Sequence, residues 1–316
     1  KLSLDTLLDQ PEHLLELISE CLKPKDNEKR QYGEVFTPMS FINEKQLIDL
    51  ETYWFKTFGE DIWTNEQITF FDPATGMGNY MIAIYYKLME GLKDKIVDEK
   101  ERKRHIIERQ LYMGELNKKN CYIVQQFFNI DNEYRLNLYQ GSTIDGFDPQ
   151  TIFGISEFDI VIGNPPYNEE LTKVGAKPLY HKFIEFYIEK CRLLTFIVPS
   201  RWFAGGKGLD RFREMMLNRS DIVYINHTGD ASTIFGNTVD IKGGVNYFLI
   251  DKRYEGLCCY NGVFTRLNQY DIVVEPKCYN IIEKIEIVGN IKIKGDIYPE
   301  DDITFDLGKD SNKLRN

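Results

Sequence analysis

At 316 residues the chain has room for about two domains of ordinary size. Apolar residues make up 42% and aromatics 13%, enough for a large core, which excludes a disordered or fibrous chain. The 39 Lys+Arg against 49 Asp+Glu leave a net charge of −10. That excludes a histone-like basic coat but not a nucleic-acid enzyme, because net charge does not say where the basic residues sit.

No apolar run approaches the roughly 20 residues needed to span a bilayer, so no membrane partner is expected. No signal peptide is recognisable. Cys21, Cys121, Cys191, Cys258, Cys259 and Cys278 form no C-x-x-C pair, which predicts reduced, mostly buried thiols in a cytoplasmic protein. His13, His105, His181 and His227 are scattered without ligand spacing, so no metal is expected.

In chain order, residues 3–22 carry Leu4, Leu7, Leu8, Leu14, Leu15 and Ile18 at near-helical spacing and predict an amphipathic helix interrupted early by Pro11. The basic stretch 23–30 reads as a loop. After Tyr32-Gly33-Glu34-Val35-Phe36-Thr37-Pro38, a helix opens at Pro38 or Ser40 and runs to about residue 57. Residues 68–71 form a β-branched and aromatic strand that ends in Asp72-Pro73-Ala74-Thr75-Gly76-Met77-Gly78. Residues 80–92 read as a helix and the charge-dense 93–110 as a solvated helix face.

Strands and helices then alternate. Strands are predicted at 110–113, 136–139, 158–163, 193–198, 222–225 and 243–250, and helices at 118–128, 180–191 and 209–217. Such alternation means an α/β domain with a mostly parallel sheet. The pattern weakens beyond residue 256.

In such a sheet, ligands bind at the carboxyl ends of strands. The loop Asp72 to Gly78 sits at one of those ends, and its glycines permit a tight turn and close backbone approach. It is not the dinucleotide fingerprint, because Met81 stands where a third glycine would, and this disfavours a dehydrogenase. An acid at the strand end suits an ammonium or hydroxyls, and Glu115, ending the next strand, is placed to take the two hydroxyls of a ribose.

Asn164-Pro165-Pro166-Tyr167 caps another strand. Its prolines rigidify the loop and remove N–H donors, leaving acceptors: the Asn164 side-chain oxygen and the Pro165 carbonyl. Tyr167 adds a flat face. Such a loop can grip a planar –NH₂ group and hold it in line with an electrophile.

These residues resemble the S-adenosylmethionine-dependent DNA adenine-N6 methyltransferases, in the gamma class whose cofactor motifs precede the catalytic motif, as in the methylase parts of type II restriction–modification systems. The resemblance covers roughly residues 30–250. It rests on Tyr32 to Pro38, Asp72 to Gly78, Glu115, Asn164 to Tyr167, Leu179 to Phe183, Phe196 to Gly208 and Gly243 to Phe248, all in order.

The resemblance implies a doubly wound, mostly parallel seven-stranded methyltransferase sheet with helices on both faces. It implies an N-terminal helical segment at 1–30, the methyltransferase domain at 31–255 and, at 256–316, the start of a truncated target-recognition domain. S-adenosylmethionine is the implied cofactor, with Tyr32, Phe36, Thr37, Pro38, Asp72, Pro73, Ala74, Gly76, Gly78, Glu115, Leu116, Ser142, Asn164 and Phe183 around it. Asn164, Pro165, Pro166 and Tyr167 are the implied catalytic set. Double-stranded DNA is the implied partner, read by Tyr167, Arg201, Lys207 and Tyr247 or Phe248, with Phe248 preferred as the inward residue. Arg211 and Arg213 are further candidates for phosphate contact. A restriction endonuclease or specificity subunit is a further possible partner.

The sequence departs from the family after its third strand, where an acid usually meets the cofactor adenine. Ser142 follows Gly141, and Asp145 is out of register. Two rival readings share the same tetrapeptide: methylation of a protein glutamine at N5, and a non-catalytic DNA-binding subunit on a methyltransferase fold.

Overall fold

The computed structural model describes residues 36–169, 177–236 and 241–282. The expected helix at 3–22, Tyr32, and everything beyond residue 282 lie outside the described residues.

Pro38 is extended, and its carbonyl accepts the N–H of Ile42 at 3.1 Å. From there α1 (Met39–Phe41), a wide π-helical turn (Ile42–Gln46) and α2 (Leu47–Phe58) run on without a break. The α2 face of Leu47, Leu50 and Trp54 is buried, as spacings of three and four require. Gly59 ends the helix in the left-handed conformation, and its N–H bonds the Phe55 carbonyl.

The elements that follow alternate. They are β1 (Phe70–Asp72), α3 (Asn79–Gly91), α4 (Glu99–His105), β2 (Leu111–Glu115), α5 (Lys118–Phe128), β3 (Asn137–Gln140) and α6 (Pro149–Phe153). Then come β4 (Phe158–Gly163), α7 (Tyr180–Tyr187), β5 (Cys191–Pro199), α8 (Asp210–Leu217), β6 (Ile222–Thr228), α9 (Ser232–Phe235), β7 (Val245–Asp251), β8 (Cys258–Tyr260) and β9 (Val263–Thr265). Within the charge-dense stretch α4 buries no residue, and Asp98 caps it by accepting the Glu101 N–H at 2.8 Å, but the π-helical turn that follows (Ile106–Gln110) buries Ile106, Ile107 and Gln110, so the expected solvated face ends at α4.

The helix expected at 180–191 stops at Tyr187. The Phe158 N–H takes the Lys190 carbonyl at 3.0 Å, and Cys191 already pairs with Phe158 in the sheet. Sheet pairing overrides the helical periodicity there.

The strands form one sheet in the order β3-β2-β1-β4-β5-β7-β6-β8-β9. The seven expected strands are all present, with β7 antiparallel between β5 and β6. Two short strands extend that edge: β8 runs parallel to β6, and β9 antiparallel to β8.

Helices cover both faces. One core packs α2, α3 and α5 against the sheet through residues such as Leu50, Ile84 and Phe128. The other packs α7 and α8 through Ile184, Tyr187, Phe212 and Met216. Strands buried on both faces read as continuous apolar runs, which is why β4 and β5 were legible without alternation.

Strand order reverses between β1 and β4, whose pairing is parallel. The carboxyl ends of β1, β2, β3 and β4 therefore open around a switch point, where α/β sheets place ligands.

Candidate active site

A cleft of about 410 Å³ opens at this switch point. It is within the usual range of about 300–1,000 Å³ for small-molecule sites. Its lining includes Asp72 from the end of β1, Glu115 from β2, Ser142 after β3 and Asn164 after β4. Residues distant in sequence meet here because parallel strands end on one edge.

The glycine loop is shaped by its neighbours. Gly76 has φ +55°, a conformation side chains resist, and a Cβ there would lie 3.2 Å from the Phe36 ring. Its N–H donates to Glu115 Oε2 at 2.8 Å, while the Asn117 N–H donates to Oε1 at 2.7 Å. A carboxylate offers about four acceptor positions, so Glu115 is held rigid and keeps capacity for hydroxyl donors.

Asp72 is almost wholly buried. One oxygen accepts the Ala74 N–H at 3.0 Å. Gly163 lets it approach, since a Cβ there would sit 2.5 Å from Oδ1. Burial pushes the Asp72 carboxyl up to about 8, the Ala74 hydrogen bond opposes this, and the Glu115 charge adds to it. An acid in that state gains from a cation brought beside it.

Phe36 and Thr37 close the cleft from the upstream segment. The Asn79 amide donates to the Thr37 carbonyl at 2.9 Å, and the Asn164 Nδ2 donates to Thr37 Oγ1 at 3.1 Å. The buried Thr75 Oγ1, also in the lining, makes no hydrogen bond among the described residues, as expected of an atom that meets a ligand.

Phe36, Thr37, Asp72, Pro73, Ala74, Gly76, Glu115, Leu116, Ser142, Asn164, Pro166 and Phe183 all line this cleft. Pro38 starts α1 instead. Gly78 caps α3 with φ +94° and faces Val124 and Phe128 of the core, so its role is the turn rather than the lining. Pro165 is buried outside the lining. Tyr167 is only 5% exposed, and its ring is not presented to the cleft. Burial pushes its hydroxyl well above the usual tyrosine range, and the neighbouring Asn164 side chain partly opposes the shift.

The β7 expectations need correction. Phe248 is fully buried among Ile225, Phe196 and Phe212, so the preferred base-facing residue is a core residue. Tyr247 points to the other face, packs edge-on to Phe41 at 5.3 Å and donates to Asp49 at 2.7 Å. It lines a second depression of about 500 Å³ with Phe41, Glu44, Lys45, His227 and Asn246. Among the basic candidates, Arg201, Lys207 and Arg211 are exposed. Arg213 is not available in the same way: it bonds the Ala204 carbonyl and pairs with Asp210 at 3.5 Å, bracing its own loop.

Sequence reasoning did not select Asn79, Tyr80, Thr143, Ile144, Asp145 or Lys182, all in the lining. Asp145 was visible but out of register. The structure brings it back, since Ser142 Oγ donates to Asp145 Oδ2 at 3.1 Å. Lys182 pairs with Glu169 at 2.6 Å.

Residues 84–235 match the sequence model of the Eco57I restriction-modification methylase family. A curated protein of Mycoplasma pneumoniae, described as an uncharacterized adenine-specific methylase, is 23% identical, over 74% of this chain and 70% of its own length. Among solved structures, a modification subunit of a putative type I restriction enzyme from Vibrio vulnificus matches 91% of this chain with TM-score 0.55 and 14% identity. The DrdV–DNA complex matches 81% with TM-score 0.58 and 16% identity. The chain spans 58% of the former and 30% of the latter, and these two likenesses concern the fold. The chain thus resembles restriction–modification methylases in the family model that residues 84–235 match, and the two solved structures in its fold.

Proposed function

We propose that this chain transfers the methyl group of S-adenosylmethionine to N6 of an adenine extruded from duplex DNA, as the modification arm of a restriction–modification system. The reading is carried by one arrangement. The Asn164 amide, anchored through its nitrogen to Thr37, lies in the same cleft as the two acids Asp72 and Glu115.

The residues fit the cofactor. Glu115 has acceptor positions for ribose hydroxyls. An ammonium beside Asp72 would offset the burial that pushes its carboxyl up and favour the carboxylate as its partner. Phe183 gives the adenine an apolar wall, and the Ser142–Asp145 pair supplies the acceptor expected after β3. When bound, the cofactor supplies an electrophilic methyl group on a cationic sulfur.

The protein's own part is positioning. An N6 amine is out of reach within the base stack, so the base must be turned out. The Asn164 oxygen and the Pro165 carbonyl draw on the two N–H bonds and localise the nitrogen lone pair. No general base is required, because the amine sheds its proton readily once alkylated. Rate then comes from orientation and fixed dipoles. Arg201 and Lys207, past the end of β5 on the same sheet edge, are the proposed phosphate contacts.

The test is a labelled methyl transfer. The protein is incubated with methyl-labelled cofactor and mixed-sequence duplex DNA, and the DNA is digested to nucleosides. The account expects label in N6-methyladenosine of the deoxy series. Label confined to a protein glutamine, or no transfer while the cofactor binds, contradicts it.

A further inference from the structure

A buried chain of hydrogen bonds runs from the middle of β5 to the edge of the cleft. Gln46 and Thr195 are fully buried, and Tyr80 and Thr37 are each 3% exposed. Gln46 ends the wide π-helical turn, a distortion that is frequent at functional sites.

The polarity of this chain can be worked out link by link. Gln46 Nε2 lies 2.9 Å from Thr195 Oγ1 and 3.4 Å from the Thr195 carbonyl. A carbonyl only accepts, so the amide nitrogen faces β5 and the amide oxygen faces away. That oxygen accepts the Tyr80 hydroxyl proton at 2.8 Å. The Tyr80 oxygen is then left as an acceptor, and the Thr37 hydroxyl, which opposes the rise that burial causes in the Tyr80 hydroxyl, is placed to donate to it. With its proton used there, Thr37 Oγ1 can only accept from Asn164, and it does so from Nδ2 at 3.1 Å.

We infer that Thr195, Gln46, Tyr80 and Thr37 form a positioning relay that fixes which way the Asn164 amide is turned, nitrogen to Thr37 and oxygen away from it. This deepens the proposed function and rests on it for its catalytic meaning. An asparagine turned the other way would present a donor to an amine that needs an acceptor. In a buried, low-dielectric setting a wrongly turned amide is costly, so the relay holds one state. Thr37 is further pinned through its own carbonyl by Asn79. The relay residues are positioning residues, because they act through Asn164.

The experiment uses the full chain without ligand, with isotope-labelled asparagine amides; the Asn164 signal is assigned by its loss in Asn164→Ala. In the unaltered protein its amide protons exchange slowly with solvent. Thr37→Val and Tyr80→Phe each speed that exchange by roughly tenfold or more, and Thr37→Ser restores protection. In single-turnover methylation at saturating cofactor the same two variants slow transfer by roughly tenfold to a hundredfold. Because both act on one chain, the double variant is no slower than the worse single one, whereas independent packing losses would add. Unchanged amide exchange in both variants overturns the relay. Slow exchange in an unaltered protein that methylates no DNA keeps the relay and removes the proposed function, so the two failures are distinct.

Discussion

The two halves of the sheet differ in how their residues are fixed. At the ends of β1 to β4, side chains are oriented by backbone N–H groups and glycine close approach: Glu115 by Gly76 and Asn117, Asp72 by Ala74 and Gly163. From β5 to β7, side chains are oriented by packing and by pairing with one another. Phe248 is sealed in the core, Tyr247 is tied to Asp49, and Arg213 braces Ala204. Loop chemistry announces itself in sequence as glycines, prolines and acids. Packing does not, because which face a helix covers depends on the whole fold.

The comparison can be broken first on its well-defined side. Asn164→Ala should lower methyl transfer by about a thousandfold, the scale seen when a transition-state donor or acceptor is removed, with cofactor affinity little changed. Calorimetric titration beside a rate measurement separates the two effects. A variant that keeps its rate places the chemistry elsewhere.

Phe248→Ala sharpens the other side. As a core residue it should cost about 3–5 kcal/mol of stability. Denaturant unfolding would show that loss, and a folded population would bind DNA normally. Retained stability with lost DNA binding would return Phe248 to the base.

Asp72 gives a pH signature. Its carboxyl ionises near 3.8 in an unfolded chain, and burial pushes it up to about 8 in the folded protein. Folding therefore favours the protonated form, and this contribution to stability is full at acid pH and is lost as pH rises across that window. Asp72→Asn removes the slope and raises the urea midpoint at pH 8 more than at pH 5. Equal gains at both would show that burial does not govern this group.

The smallest effects concern charge at the rim. Arg201→Ala and Lys207→Ala should each reduce the salt dependence of DNA binding by about one unit of slope, while Arg213→Ala lowers stability and leaves the slope alone. A loss of slope in Arg213→Ala alone would reverse the assignment.

Much of this was legible without coordinates. The helix at 118–128 and the strand at 158–163 fall where periodicity and apolar runs put them. The places of Asp72, Glu115 and Asn164 in the cleft follow from one rule, that parallel strands share an edge, whereas Phe36, Thr37, Ser142 and Phe183 were implied only by the family resemblance. What was missed has physical reasons. Tyr167 sits in a tetrapeptide that implies exposure, yet it is covered, its carbonyl taken by the Leu179 N–H at 2.9 Å. Gln46, Tyr80 and Thr195 carry no motif. They matter through partners up to 149 positions apart, and no local pattern records that. Alternation correctly split Tyr247 from Phe248, but it could not tell which face was open.

The most direct test of the central claim is a crystal structure with the demethylated cofactor added. The account predicts its ribose hydroxyls on Glu115 and its sulfur turned toward Asn164 within the cleft at β1–β4. Cofactor bound in the second depression beside Tyr247, or a cleft that stays empty at saturating concentration, would contradict it.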